Sequence, residues 1–176
     1  MFDPIRELKT RAEVLHHAVI EKREGALARL RVLPELKRAS DEEVTRFAES
    51  IQRKHALAAV AIAAGFSGWE HARRVLDGED EPDFGALLYP KRGGGLNHWF
   101  VDYDEAAAQR ARLGGYLLAY KRHFFVAEDV LFVEDLGIDP GDPDLDAIGR
   151  DFVRPRDVEA RKRLYAKILA AHPRLA

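Results

Sequence analysis

Two histidines that begin predicted strands are the residues of this chain best suited to acid–base chemistry. His98 opens one predicted strand and His123 opens another. Histidine exchanges a proton near neutral pH, and a neighbouring carboxylate can fix its tautomer. We therefore expect His98 and His123 to lie near one end of a sheet with Asp102 close by, as the candidate catalytic residues of a hydrolase acting on a phosphate ester. The competing interpretation is that both histidines only pack in the sheet, since no His-Glu-x-x-His or Gly-x-Ser-x-Gly motif is present.

A glycine-rich loop, Lys91-Arg92-Gly93-Gly94-Gly95, is the second pattern with chemical potential. Three glycines let backbone amides converge, and the two adjacent cations suit a phosphate or a carboxylate. The loop is not a P-loop, because the lysine of a P-loop follows the glycines and precedes Ser or Thr. The alternative is a flexible connector between two strands.

Aromatic and polar side chains around these two patterns form a candidate ligand-binding set. The set consists of Lys91, Arg92, Asn97, Trp99, Tyr103, Tyr120 and Arg122. Large rings supply apolar area, and Tyr and Trp add a polar edge, although the same rings also suit a core between a sheet and its helices. Period-two alternation places aromatic rings on both faces of the predicted sheet. One face therefore needs a further cover, either the N-terminal helices or the second subunit of a homodimer.

The composition excludes several classes of protein. The chain has 176 residues, 47% of them hydrophobic, and no cysteine, so it can bury a core but cannot form a disulfide or a zinc–thiolate site. We expect no cofactor and no metal. The first residues contain no continuous apolar run, which predicts a cytoplasmic protein without a membrane partner. A net charge of −2 argues against a broad nucleic-acid surface.

The first half of the chain contains residues typical of the beginnings and ends of helices. Asp3 before Pro4 is a cap, and apolar residues then recur every three or four positions. A second helix is predicted after Gly25, ending at Pro34, because the proline ring clashes with a continuing helix.

Two capping-box patterns predict two further helices. Ser40 with Glu43 opens a third helix that should run to Gly65, and Ser67 with Glu70 opens a fourth. Four helices would close a small N-terminal bundle.

An acidic linker, residues 79–84, separates this predicted helical subdomain, residues 1–78, from a second subdomain, residues 85–176. The predicted strands are 85–89, 98–103, 116–120 and 123–127, and the predicted helices are 104–113, 128–136 and 157–171. The predicted fold class is α+β, with a small mixed or antiparallel sheet and flanking helices.

The segment from Ala61 to Leu76 reads Ala-Ile-Ala-Ala-Gly-Phe-Ser-Gly-Trp-Glu-His-Ala-Arg-Arg-Val-Leu. It resembles the helix, Gly-Phe-x-x-Trp, helix segment of bacterial ankyrin-associated and glyoxalase-related proteins of unknown role. It also resembles the helix-turn-helix of AraC-type regulators, which would imply DNA binding through residues 61–76. Trp69 favours the first resemblance, because a recognition helix presents polar residues to base edges. The chain as a whole resembles an uncharacterised bacterial family.

These observations predict a cytoplasmic binding module for a small anionic ligand or a protein partner. Two alternatives stay open, a His-dependent hydrolase and a DNA-binding regulator. The hydrolase requires His98 and His123 to converge on a carboxylate in an open cleft. The regulator requires an exposed helix that carries Arg73 and Arg74.

Overall fold

The fold is α+β, as the sequence predicts, with helices around a small antiparallel sheet. The computed structural model describes residues 3–79, 81–89 and 97–172. The helices of the first half are α1 (Pro4–Ile20), α2 (Ala26–Arg29), α3 (Asp41–Glu49), α4 (Arg53–Ala63) and α5 (Trp69–Asp77), with 3-10 turns at Leu30–Val32 and Pro34–Leu36. The second half follows in the order β1 (His98–Phe100), α6 (Tyr103–Leu113), β2 (Tyr116–Tyr120), β3 (His123–Ala127), α7 (Leu131–Asp135), α8 (Pro143–Ala147) and α9 (Val158–Ala171).

Helix α1 begins at the predicted cap. The Asp3 carboxylate accepts hydrogen bonds from the backbone N–H groups of Ile5 and Arg6, and Pro4 occupies the first turn, where its missing N–H costs nothing. The buried face of α1, which includes Leu8, packs against α4 and α9. The first and last helices of the chain therefore share one core.

The two predicted capping boxes have different outcomes. The first is confirmed, because Ser40 Oγ accepts from the Glu43 N–H and the Glu43 carboxylate accepts from the Ser40 N–H. The second is wrong. Helix α5 begins one residue later than predicted, after Gly68, and has no side-chain cap, because the Ser67 hydroxyl is used elsewhere, as described below.

The predicted third helix is two helices, α3 and α4, with a break at residues 50–52. Ser50 ends α3, and its Oγ donates to the Phe47 carbonyl at 3.2 Å, which competes with a further helical turn. Helix α4 begins after Gln52, whose backbone N–H donates to Nδ1 of His55 at 3.1 Å. The His55 side chain therefore caps the first turn of the shorter helix.

The described residues contain one sheet with the strand order β1-β3-β2, in which both pairings are antiparallel. Strands β2 and β3 form the predicted hairpin, since Tyr120 pairs with His123 across the turn Lys121-Arg122. Lys121 has a φ of 53°, the left-handed conformation that tight hairpins use. The predicted strand at residues 85–89 is wrong, because these residues form a turn whose backbone bonds to the hairpin turn rather than to a ladder.

Each face of the sheet packs against a different cluster of side chains. One face joins the main core through Tyr116, Leu118, Phe125 and Ala127. The other face packs through Leu117, Ala119 and the half-buried Phe100 and Phe124 against Ala106 of α6 and Val153. This chain therefore covers both faces itself, so the sheet does not need a second subunit as its cover, and the homodimer stays a prediction.

The C-terminal helices are joined by ion pairs. Helix α8 was not predicted from the sequence, and Asp142 caps it. Helix α9 begins one residue after its predicted start, and Asp157 caps it. Arg163 and Lys167 of α9 both pair with the buried Asp144 of α8, at 2.6 and 2.8 Å.

The main core includes residues from both sides of the predicted linker. Leu8 and Leu76 precede residues 79–84, Leu169 follows them, and all three are fully buried in one cluster. The division of the chain at residues 79–84 stays a prediction. The described part of that segment has a second role, as a wall of the cleft considered next.

Candidate functional site

A cleft of about 560 Å³ lies where the two halves of the chain meet. That volume falls in the range of small-molecule sites, roughly 300–1,000 Å³. Its walls are formed by the end of α5, the described part of the acidic linker (residues 79–84), the β2–β3 hairpin and the start of α9. The lining residues are Gly78, Glu79, Glu81, Pro82, Phe84, Val101, Tyr103, Arg122, Phe124, Val153, Arg154, Pro155, Val158 and Arg161.

Arg161 is a buried cation in the wall of this cleft. It lies on α9 and is only 5% exposed. Its Nη1 group donates to the backbone carbonyls of Phe152 and Val153, at 3.2 and 3.3 Å. Its Nε–H is buried without a hydrogen-bond partner, and within the described ranges no carboxylate pairs with the guanidinium. Arginines are almost never buried so deeply without a partner, because an unpaired charge is costly to remove from water.

Arg154 is the second cation of the cleft, and Tyr103 fixes its position. The guanidinium carbon of Arg154 lies 3.8 Å from the centre of the Tyr103 ring, a cation–π contact. Its only ion pair with a described residue is with Asp104, at 3.6 Å, and both side chains are largely exposed, so that pair is weak. The guanidinium is therefore held in place but stays available to a ligand.

Tyr103 and Arg154 are linked a second time through Asp151, a buried carboxylate. The Tyr103 hydroxyl donates to Oδ2 of Asp151 at 2.6 Å. The other oxygen, Oδ1, accepts from the backbone N–H groups of Val153 and Arg154. Burial, reinforced by the hydrogen bond to Asp151, raises the pKa of Tyr103 to about 12. Tyr103 is therefore neutral at physiological pH and acts as a donor that fixes the segment carrying Arg154.

Arg122 is the third cation, at the tip of the β2–β3 hairpin. It is exposed, and it has no ion pair with any residue in the part of the chain that the structure describes. Its position on a two-residue turn places it at the rim of the cleft, beside Phe124.

The two glutamates of the cleft are already neutralised by arginines outside it. Glu79 accepts from Arg73 at 2.7 Å, and Glu81, whose side chain is only 12% exposed, pairs with Arg74 at 3.0 Å. Arg73 and Arg74 belong to α5, so these ion pairs also hold the acidic linker against that helix. The three arginines inside the cleft are left as its dominant charge.

His71 bonds to the acidic linker at Asp83. Its Nδ1 accepts from the Ser67 N–H at 2.9 Å and lies 3.0 Å from the Ser67 hydroxyl, and its Nε2 lies 2.6 Å from the Asp83 carbonyl. Because Nδ1 accepts, Nε2 carries the proton and donates to Asp83. This buried histidine is therefore satisfied at both nitrogens and serves the structure rather than proton transfer.

The structure does not bring the three predicted catalytic residues together. His98 pairs with Val126 across the β1–β3 ladder, three positions along β3 from His123, so antiparallel pairing separates the histidines and an odd spacing puts them on opposite faces. Nε2 of His98 lies 2.8 Å from Oε1 of Glu128. Asp102 caps α6 by accepting from the Glu105 N–H. Neither histidine lines the cleft.

The predicted ligand-binding residues divide between two places. Tyr103 and Arg122 line the cleft. Trp99 and Tyr120 belong instead to an aromatic cluster around Tyr89, with ring centres 5.3 and 5.1 Å from the Tyr89 ring. Asn97 is half-buried just before β1. Lys91 and Arg92, with the glycine loop, lie outside the described residues.

Sequence reasoning missed the two arginines that define the cleft. Arg161 carried a detectable signal, because it precedes Leu164, Tyr165 and Ile168 by three, four and seven positions on the apolar face of α9. A cation on such a face indicates a buried charge. Arg154 carried no comparable signal, since its position depends on Tyr103, 51 residues earlier in the chain.

The segment at residues 61–76 forms a tight helix–turn–helix unit. Gly65, with a φ of 96°, ends α4, and Phe66 is buried with its ring against His71 at 5.6 Å. The cations Arg73 and Arg74, however, are both paired with carboxylates, which reduces the charge that phosphates would meet.

The described residues hold no cluster of three or more metal-ligating side chains, and none of their helices has the length and apolar character needed to cross a membrane. Comparison with known proteins finds no matching family model, no similar curated protein and no similar solved structure. The resemblance of residues 61–76 to the Gly-Phe-x-x-Trp segment therefore stays a prediction.

Proposed function

We propose that this protein is a binding module for a small anionic ligand, and that its binding site is the cleft lined by Arg122, Arg154 and Arg161. The observation that carries the proposal is the buried Arg161 guanidinium, whose Nε–H has no acceptor in the part of the chain that the structure describes. A ligand anion would supply that acceptor through a charge-assisted hydrogen bond. It would also offset the cost of holding an unpaired charge away from water.

The charges around the cleft support the same ligand class. Glu79 and Glu81 are engaged by Arg73 and Arg74, so they do not cancel the arginines of the cleft. A concave site that concentrates one sign of charge attracts ligands of the opposite sign. Protein partners remain a prediction without a defined surface, and the hydrolase and DNA-binding alternatives gain no support from the contacts of His98, His123, Arg73 and Arg74 described above.

The proposal is tested by titrating the full chain with sodium acetate and with inorganic phosphate in an isothermal calorimeter. We expect saturable binding of one anion per chain. Replacing two guanidiniums in the double variant Arg122→Gln/Arg154→Gln should weaken binding about tenfold or more, since one charge-assisted hydrogen bond contributes about 1.5 kcal/mol.

The matched control is Arg112→Gln on α6, because Arg112 is exposed, lies outside the cleft and, among the described residues, bonds only to Gln109. The control should bind as the wild type does. Equal loss of affinity in both variants, or no saturable binding of either anion to the wild type, would overturn the proposal.

A further inference from the structure

We infer that the ligand is a small monocarboxylate whose body is an aromatic or branched apolar group. This inference rests on the anion-binding function proposed above and goes beyond it, because it specifies both the charged group and the group attached to it. Two features of the cleft carry the inference: its apolar wall and the unbonded edge of the Arg161 guanidinium.

The first feature is an apolar wall formed by about half of the residues that line the cleft. It is formed by Pro82, Phe84, Val101, Phe124, Val153, Pro155 and Val158. The Phe84 and Phe124 rings meet edge to face at 6.1 Å, and Val101 is 77% exposed. A bare inorganic ion would leave this wall in contact with water. A ligand with an apolar body would cover it, at a gain of roughly 25 cal/mol per Å².

The second feature is the edge of the Arg161 guanidinium that has no hydrogen-bond partner among the described residues. Nη1 is used by the carbonyls of Phe152 and Val153. The Nε–H and Nη2–H groups form the opposite edge, and neither has a hydrogen-bond partner among the described residues. These two parallel donors match the two oxygens of a carboxylate, the fork geometry that arginine uses for bidentate binding.

The inference is tested with four probes on the full chain: benzoate, acetate, inorganic phosphate and benzyl alcohol. We expect benzoate to bind at least tenfold more tightly than acetate or phosphate, and benzyl alcohol to show no measurable binding. The variant Val101→Ser should weaken benzoate binding at least threefold and should weaken acetate binding less. The control Val130→Ser changes another exposed valine, 49% exposed and outside the cleft, and should leave both affinities unchanged.

The outcomes separate this inference from the proposed function. If acetate and phosphate bind as tightly as benzoate, the apolar body is wrong and the anion site stands. If phosphate binds more tightly than benzoate, the monocarboxylate is wrong and the anion site stands. If benzyl alcohol binds as tightly as benzoate, or no anion binds, both the inference and the proposed function fail.

Discussion

The backbone of Gly78 lies directly against the guanidinium of Arg161. A methyl group added at Gly78 would lie 2.6 Å from Nη2 of Arg161. Gly78 ends α5 in the left-handed conformation, with φ 83° and ψ 24°, which glycine adopts without strain. The same residue therefore terminates a helix and leaves room for the buried cation, which lies close to the partial negative charge of the helix C-terminus.

Gly78→Ala should weaken anion binding as well as stability. The added methyl group forces a strained backbone, which costs about 1 kcal/mol or more, and also displaces the Arg161 guanidinium. The control is Gly25→Ala, because Gly25 has a φ of 76° and nothing within 4 Å of the added methyl group. Urea unfolding should show both variants destabilised, whereas acetate titration should show weaker binding only for Gly78→Ala. Wild-type acetate affinity in Gly78→Ala would refute the link between Gly78 and Arg161.

Tyr103→Phe should destabilise the protein and remove a tyrosine that ionises only at strongly alkaline pH. The change deletes the hydrogen bond to the buried Asp151, at a cost of about 1–3 kcal/mol. Because the folded pKa of Tyr103 is raised to about 12, above its unfolded value of about 10, its contribution is full below pH 10 and is lost as the pH rises towards 12. Absorbance at alkaline pH follows phenolate formation. An unchanged titration curve in Tyr103→Phe would contradict the assignment.

Asp144→Asn should destabilise the protein at neutral pH, with a difference that disappears in acid. Hydrogen bonds from Arg163, followed by those from Lys167, hold the pKa of Asp144 below its usual range. Because the pKa of Asp144 is lower in the folded state, its carboxylate stabilises the protein above the unfolded pKa of about 3.9. This stabilisation is lost as the pH falls through the folded pKa. We expect a loss of about 2 kcal/mol at pH 7.

The matched control for Asp144→Asn is Asp146→Asn on the same helix, whose side chain is 78% exposed beside Arg150. Thermal unfolding between pH 7 and pH 2 measures both variants. The Asp144→Asn and wild-type curves should converge below pH 4, and Asp146→Asn should follow the wild type throughout. A constant gap between Asp144→Asn and wild type at every pH would show that the ion pair is not its cause.

His71→Phe should destabilise the protein by about 2 kcal/mol, although Phe keeps the ring and its contact with Phe66. The variant loses the bond to the Asp83 carbonyl and the acceptor for the Ser67 N–H, so buried polar groups are left without partners. The exposed His123 supplies the control, His123→Phe. Urea unfolding distinguishes the two variants, and equal stability of both would refute an anchoring role for His71.

Local signals predicted those elements whose ends depend on nearby residues. Helix α1 and helix α9 begin at Asp3 and Asp157 because each carboxylate bonds to N–H groups two or three positions away. The β2–β3 hairpin is also local, with strands joined by the turn Lys121-Arg122.

Non-local contacts account for the wrong predictions. The apolar run 85–89 has strand composition, but its backbone bonds to Gly65 and to the hairpin turn, which lie far away in sequence. Likewise, no local pattern reveals that β1 and β3 are antiparallel, and that pairing separates His98 from His123.

The candidate site was predictable only in part. Tyr103 and Arg122 were identified by type and neighbourhood, and the structure places both in the cleft. Arg154 and Arg161 are recognised as site residues only from their surroundings. The guanidinium carbon of Arg154 lies 3.8 Å from the centre of the Tyr103 ring. The buried Nε–H of Arg161 has no acceptor among the described residues. Side-chain environment of this kind is a property of tertiary packing, which composition and periodicity do not encode.

The most direct test of the anion site is the nitrogen–proton NMR signal of the Arg161 Nε–H group, followed during a benzoate titration. The signal is assigned by its loss in Arg161→Lys, and Arg112 serves as the internal reference. The account predicts that the Arg161 signal shifts saturably, together with those of Arg122 and Arg154, while the Arg112 signal stays in place. An Arg161 signal that does not move, or one that moves no more than that of Arg112, would contradict the binding of an anion in this cleft.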